Sequence, residues 1–263
     1  MIDMAMSLKR KIKEGKTVVG TMLCMITSPN IVYIIKNAGF DYIIMDCEHG
    51  GYTYQEISNI AGLCRALDLG IIVRIPQVER MCVQKYSDMG IDGIMIPYVE
   101  EAEVVEKCSG YARYKPYGTR GVSLGAIVDF KGADDLTAVL EDINENFIIM
   151  AQIESRKGVE NIDKIMSVPG CDAVYFGVYD MSVSYDKPGE IKDPMFKDVI
   201  GSVLESAKKH GKILGHHFFS REDAQYWLEK GVQLACWQTD CSQLINTYKN
   251  DVEFIKNDPN YKK

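Results

Sequence analysis

One unit recurs along this chain. An amphipathic stretch closes on glycine, a residue or two follow, and a short run of β-branched and apolar residues begins. The instances are Gly39-Phe-Asp-Tyr-Ile-Ile-Met, Gly70-Ile-Ile-Val, Gly90-Ile-Asp-Gly-Ile-Met-Ile, Gly170-Cys-Asp-Ala-Val-Tyr-Phe, Gly211-Lys-Ile-Leu-Gly and Gly231-Val-Gln-Leu-Ala-Cys. Glycine suits the left-handed residue just past a helix end, and a short loop then leads into a parallel strand. Counting the runs gives eight strands, at about 17–23, 42–46, 71–75, 93–97, 147–153, 173–177, 213–218 and 234–238. Helix-competent sequence separates them, so the expected fold is α/β, a single-domain (β/α)8 TIM barrel over residues 1–263. The barrel proper is expected at about 17–245, with a C-terminal helix and polar tail at 246–263, frayed from Asn257. A doubly wound sheet is the alternative, but no Gly-x-Gly-x-x-Gly follows any strand.

Helix starts are also readable. Ser28-Pro29 reads as a cap before a first-turn proline. Thr53-x-x-Glu56 reads as a capping box, followed by Ile57, Ile60, Ala61 and Cys64 at helical spacing. Phe196, Val199, Ile200 and Val203 repeat that spacing, and Ser220-x-x-Asp223 opens a helix with Ala224, Trp227 and Leu228 on one face. Tyr114 to Asp135 reads as a long loop, of the kind that is usually functional.

Bulk properties narrow the class. A length of 263 residues is near that of an ordinary α/β barrel, and 46% apolar residues can fill a sizeable core. The net charge of −7 argues against a nucleic-acid partner, so the aromatic and basic cluster Tyr111, Arg113, Tyr114, Lys115, Tyr117 reads as loop packing. No apolar run is long enough to cross a bilayer, and no apolar block follows the basic N-terminus as in a secretory signal. Eight scattered cysteines without a CxxC pair read as reduced thiols of a cytoplasmic protein.

Several strand-like runs end in a charge. Tyr42 to Met45 runs into Asp46-Cys47-Glu48-His49, Ile71-Ile72-Val73 into Arg74, Phe147 to Ile153 into Glu154, and Ala173 to Gly177 is followed by Asp180. In a parallel sheet these charges share one rim, where such folds put their chemistry. Glu154 and Asp180, with no Cys or His ligand beside them, suit a hard divalent cation such as Mg²⁺ or Mn²⁺. Salt bridges, for example to Arg156, are the plainer reading. Arg74 can hold a carbonyl or carboxylate oxygen, or pair with Asp46 or Glu48. His49 beside two carboxylates is a candidate base.

The segments Ile44-Met-Asp-Cys-Glu-His49, Val73-Arg74, Gly118-Thr-Arg-Gly121, Gln152-Ile-Glu154 and Gly177-Val-Tyr-Asp-Met-Ser182 together resemble the class II pyruvate aldolases of the HpcH/HpaI family. The resemblance runs over about residues 17–245. It implies a divalent metal (Mg²⁺, Mn²⁺ or Co²⁺) held by Glu154 and Asp180. It implies that Arg74 binds the pyruvate carbonyl oxygen, that His49 transfers a proton and that Asp46 orients it. Gln152 and Gly177 match positions beside the bound pyruvate. Asp88 matches an acid that reaches a neighbouring subunit's site, in homo-oligomers running from dimer to hexamer with a swapped last helix.

The implied reaction is cleavage of a 4-hydroxy-2-oxoacid, including 2-dehydro-3-deoxy sugar acids, to pyruvate and an aldehyde. Arg74 and a metal would stabilise the charge that develops on the C2 oxygen. The Schiff-base route needs a lysine in an apolar pocket at the site; no lysine ends a strand, and Lys212 precedes its own. The alternatives are an acyl-CoA lyase of the citrate-lyase β or malyl-CoA type and a catalytically silent metabolite-binding homologue. Val178 and Met181 stand where the family usually has Pro and Leu. His216, His217, Trp237 and Gln238 are larger or more polar than expected. Alternation along a strand turns one of each of these last two pairs toward the barrel mouth; the plainer reading is that the change is steric packing under the helices, the sharper one an altered pocket for the aldehyde half, with a different substrate or none.

Overall fold

The computed structural model describes residues 8–262. Its strands are β1 Val18–Leu23, β2 Tyr42–Asp46, β3 Gly70–Arg74, β4 Gly93–Ile96, β5 Ile148–Ile153, β6 Ala173–Phe176, β7 Ile213–Phe218 and β8 Leu234–Thr239. Its α-helices are α1 Leu8–Lys13, α2 Ile31–Asn37, α3 Tyr54–Ala66, α4 Arg80–Ser87, α5 Ala102–Ala112, α6 Leu136–Asn146, α7 Arg156–Glu160, α8 Ile162–Ser167, α9 Val178–Ser184, α10 Met195–Lys209, α11 Arg221–Glu229 and α12 Asp240–Lys256. The strands close in sequence order into a parallel barrel, with β8 beside β1. All eight strands fall within about a residue of where the strand-like runs place them, six of them led by the glycine unit.

Alternation along each strand builds two cores. Tyr42, Ile44, Ile72, Ile148, Met150, Tyr175, Ile213, Leu234 and Cys236 fill the barrel interior. Ile43, Met45, Ile71, Val73, Ile149, Ala151, Val174, Phe176, Leu214 and Ala235 face the helices. The interior holds two tyrosines because glycines make room for them. A Cβ on Gly20 would lie 2.5 Å from the Tyr42 ring, and one on Gly215 would lie 2.8 Å from that of Tyr175.

A repeated device seals the end where the strands begin. In each Gly-x-Asp entry the aspartate accepts a backbone N–H from the preceding strand: Asp41 from Val19 at 2.9 Å, Asp92 from Ile71 at 2.8 Å and Asp172 from Ile149 at 2.8 Å. Asp172 also pairs with Lys9 at 2.7 Å and Arg113 at 2.6 Å. Each aspartate thus ties an odd strand to the following even one.

Helix entries follow the sequence with two corrections. The capping box at Thr53 forms, with the Glu56 N–H donating to Thr53 Oγ1 and the Thr53 N–H donating to the Glu56 carboxylate at 2.8 Å; such a cap contributes about 1 kcal/mol. Ser220 caps α11 through its side chain, with Oγ accepting the Asp223 N–H. Pro29, however, is not in the first turn of α2. A tight turn with Ile31 N–H on Ser28 O and Val32 N–H on Pro29 O comes first, and Asn30 is the cap. Leu228 stands 42% exposed, so Trp227, with Ala224 partly buried beside it, anchors the face expected of α11.

The long loop follows α5, so it lies at the end of the barrel away from the strand C-termini. Part of it is a 3-10 turn, Ala126–Val128, whose Ile127 and Val128 pack with Tyr114 and Ile143 in a small separate core. Arg65, in the last turn of α3, reaches Asp129 and the Ile127 carbonyl. Within the chain the loop packs against the ends of these helices.

Candidate active site

The alternation that buries Tyr42 and Ile44 turns Asp46 inward, and the same parity brings Arg74 from β3, Gln152 and Glu154 from β5, and His217 from β7 to the C-terminal mouth. Arg74 lies across Asp46 with Nε on Oδ1 at 2.9 Å and Nη2 on Oδ2 at 2.7 Å. Its Nη1 is 3.3 Å from Glu48. Asp46 Oδ1 also accepts the backbone N–H groups of Glu48 at 3.1 Å and His49 at 3.2 Å. Burial pushes the Asp46 carboxyl up, but Arg74 and these N–H groups outweigh it and hold the group below its usual range.

The His49 imidazole does not rest on Asp46. Its side chain is 68% exposed at the mouth, with Nε2 3.6 Å from Glu48. Asp46 therefore fixes the backbone at His49 and the plane of Arg74, while Glu48 is the carboxylate beside the ring. Glu48 was not singled out from the sequence as a site residue. The period-two spacing from Asp46, continued past the strand end, was the available signal.

Glu154 is buried. Oε1 accepts the Tyr98 backbone N–H and Oε2 the Gln152 amide, each at 2.7 Å. Tyr98 presents that N–H from a left-handed conformation, φ 50°, a local strain of the kind that gathers at functional sites. Burial, followed by the charges of Asp180 and Glu48 and against the Tyr98 N–H and Arg74, pushes the Glu154 carboxyl up to about 8. Asp180 sits exposed in the first turn of α9. Gly177 makes the arrangement possible, because a Cβ there would lie 1.9 Å from Glu154 Oε2 and 2.9 Å from Gln152 Nε2.

Among the described residues no group of three or more His, Cys, Asp or Glu side chains forms a closed metal cage. Still, the donors suit a hard divalent cation. Glu154 and Asp180 offer carboxylate oxygens, Asp180 and Glu48 raise the cost of charging Glu154 while Arg74 lowers it, and Gln152 Oε1 is buried with no hydrogen-bond partner. A cation that takes two carboxylates and leaves its other positions to water and substrate meets those conditions.

The paired histidines divide as alternation requires. His216 faces the helices, ringed by Phe176, Phe218 and Trp227 at 5.2–5.6 Å between centroids. His217 faces inward, with Nδ1 3.2 Å from the Tyr175 hydroxyl. Trp237 packs on the outer core, and Gln238 takes a left-handed conformation where the pairing of β8 with β1 shifts register. Val178 and Met181 lie on the buried face of α9, so those changes alter packing.

Asp88 is not in this cluster. It follows the last residue of α4, at the opposite end of the barrel, and holds Arg120 through Nε at 3.1 Å and Nη2 at 2.7 Å. Gly118-Thr-Arg-Gly121 thus folds around the α4 and α5 ends, with Arg120 also donating to the Ala112 carbonyl.

Acids, an arginine and a histidine at the C-terminal mouth of a closed parallel barrel define an α/β-barrel enzyme. The chain belongs to the HpcH/HpaI aldolase/citrate lyase family, whose profile matches residues 21–247. It is similar to the crystal structure of an HpcH/HpaI aldolase from Desulfitobacterium hafniense DCB-2, with TM-score 0.95 and 37% identity over 98% of this chain and 100% of that one. It is 29% identical over 217 residues to a 5-keto-4-deoxy-D-glucarate aldolase of Klebsiella pneumoniae, covering 82% of this chain and 84% of the relative. It is 28% identical over 244 residues to a hydroxypyruvate/pyruvate aldolase of Roseobacter denitrificans, covering 92% and 94%. The aldolase reading made from the residues agrees with these relatives.

Proposed function

We propose that the protein is a metal-dependent carbon–carbon lyase that cleaves a 4-hydroxy-2-oxoacid to pyruvate and an aldehyde, and runs the reverse condensation. The observation that carries the reading is the fixed Arg74. Its guanidinium has five N–H donors; two meet Asp46 and one points to Glu48. The remaining two are free for the C2 oxygen of an oxoacid, where negative charge develops as the C3–C4 bond breaks. Asp46 is the positioning residue that holds this fork in one plane.

A divalent cation (Mg²⁺, Mn²⁺ or Co²⁺) held by Glu154 and Asp180 would supply Lewis-acid polarisation of the oxoacid's oxygens. Gln152 holds Glu154 in place, and Gly177 leaves room for both. His49 is placed to take the C4 hydroxyl proton in cleavage, with Glu48 beside it to stabilise the imidazolium. Asp88 is proposed to serve a neighbouring subunit's site. That requires a homo-oligomer, dimer to hexamer, which the exposed Ile245, Tyr248, Val252 and Ile255 on α12 support. Among the described residues no helix is long and apolar enough to cross a membrane, in keeping with a cytoplasmic enzyme acting on small molecules.

The test is exchange of pyruvate methyl protons with D₂O, followed by NMR with each metal and then with EDTA. Metal-dependent exchange that disappears in Arg74→Ala supports the proposal. Pyruvate binding without exchange under any metal overturns it in favour of a CoA-ester lyase or a silent binding protein.

A further inference from the structure

Resting on the reading of this chain as a pyruvate-releasing aldolase, we propose that His217, Phe219 and Tyr179 form the wall of the pocket for the aldehyde half, and that this wall selects an aromatic or other apolar aldehyde over a polyhydroxylated or carboxylated one.

The three rings come from adjacent parts of the mouth. Tyr179 precedes Asp180 at the start of α9, directly after β6. His217 is the inward-facing residue near the end of β7, the neighbour of β6, and Phe219 follows it two residues on. The rings are stacked in series: His217 and Phe219 centroids are 4.7 Å apart at 37°, and Phe219 and Tyr179 are 5.4 Å apart at 86°. The second is the edge-on arrangement that aromatic pairs prefer, and the first is a tilted contact at similar range. The series therefore runs from His217, which feels the charge of Arg74, outward to Tyr179, the residue before Asp180.

The wall is rigid where it could have been loose. The Tyr175 hydroxyl fixes the His217 ring through Nδ1 at 3.2 Å. Phe219 is pinned through its backbone, its N–H on Asp223 Oδ2 at 3.2 Å and its carbonyl accepting from Gln238 Nε2 at 3.4 Å. Yet the apolar faces remain open, with Tyr179 53% and Phe219 36% exposed. A held but uncovered aromatic surface at the same mouth of the barrel is suited to an apolar ligand.

Its polar capacity is small. A polyhydroxylated aldehyde needs several donors and acceptors, and the wall offers the Tyr179 hydroxyl and His217 Nε2. Burial, followed by the charge of Arg74, pushes His217 down to about 4. The ring is thus neutral at pH 7 and is no anchor for a carboxylate. The nearest cation of this loop is Arg221, exposed and beyond the cap Ser220. Like Arg74, it would favour a carboxylated aldehyde, so that class belongs in the test.

The experiment is condensation of pyruvate with three acceptors, benzaldehyde, D-glyceraldehyde and glyoxylate, using the metal-loaded wild type, Phe219→Ala and Tyr179→Ser. Wild-type exchange of pyruvate protons is measured first, so that failure of the aldolase reading is seen on its own; without exchange this inference falls with it. With exchange, benzaldehyde is expected to show the highest kcat/KM. Each variant is expected to lower the benzaldehyde-to-glyoxylate ratio about tenfold, the scale set by losing apolar contact in a pocket. Saturation-transfer NMR from the protein to benzyl alcohol, weakened in both variants, reads the same surface without turnover. A wild type that prefers glyoxylate or glyceraldehyde, or variants that leave both the ratio and the saturation transfer unchanged, overturns the proposal.

Discussion

Arg74 and Asp46 meet at two points, Nε to Oδ1 and Nη2 to Oδ2, on neighbouring strands whose register sets the two residues side by side. Both side chains are largely buried. Such a pair gives fixed geometry more than net stability, because its attraction is offset by the cost of taking two charges out of water. Removing one partner alone is expected to be expensive. Asp46→Ala should cost about 3 kcal/mol by urea unfolding, with Glu48 softening the loss. Adding Arg74→Met in that background should recover most of it. Single variants that each cost little and combine additively would show that the pair is not coupled.

Gly177→Ala addresses the acidic centre without touching an acid. The backbone at Gly177 has φ −100°, so alanine is tolerated there, and the expected effect is purely steric. The added methyl would fall 1.9 Å from Glu154 Oε2 and 2.7 Å from Glu154 Cβ, so the carboxylate must move. Mn²⁺ affinity, read by EPR of the free ion, is expected to fall about 10- to 100-fold, as when the support of a ligand is lost. Unchanged affinity would mean that Glu154 is not a ligand.

The fold was largely legible in the sequence, because glycine at a helix end and β-branched runs are local signals. The Gly-x-Asp entries were equally visible as letters. Their meaning was not, since Asp41, Asp92 and Asp172 act across strands on N–H groups more than twenty residues away. The acids and Arg74 were legible because a charge closing an apolar strand is unusual. Partner choice was not. Whether a carboxylate meets the His49 ring or the Arg74 fork depends on barrel closure and register, and the same holds for which histidine of His216-His217 turns inward. The place of the long loop was not legible, because chain length alone does not say at which end of the barrel a connection lies.

Stability in mild acid should be set partly by the two buried histidines. Burial pushes His216 down to about 3 and, with Arg74, His217 to about 4. In the unfolded chain both take up protons below about 6.5, so the unfolded state binds more protons and stability falls as pH drops from 6.5 toward 4. The slope is about 1.4 kcal/mol per pH unit for each histidine. His216→Phe, which suits a cage of Phe176, Phe218 and Trp227, should remove one such slope. The difference between variant and wild-type unfolding free energies is therefore expected to grow by about 2 kcal/mol in the variant's favour between pH 6.5 and 5. A difference that does not change with pH would contradict a neutral buried His216.

The β1–α2 loop beside the mouth hangs on one carboxylate. Asp240, at the start of α12, accepts N–H groups from Cys24 at 3.1 Å, Met25 at 3.1 Å, Ile26 at 2.9 Å and Cys241 at 2.8 Å. Burial pushes its carboxyl up, but these four donors outweigh that and hold it below its usual range. The stabilisation is therefore present above the unfolded carboxyl pKa and is lost as pH falls through the depressed folded value. Asn at 240 keeps the shape but turns one oxygen into a donor facing N–H groups. Asp240→Asn is expected to cost about 2 kcal/mol and to raise hydrogen exchange at Cys24, Met25 and Ile26 selectively, leaving the amides of β2 and β3 protected. Uniform exchange across the barrel, or none beyond wild type, would show that Asp240 does not fasten this loop. Because the loop borders the mouth, a selective effect would also link the root of the last helix to access at the site.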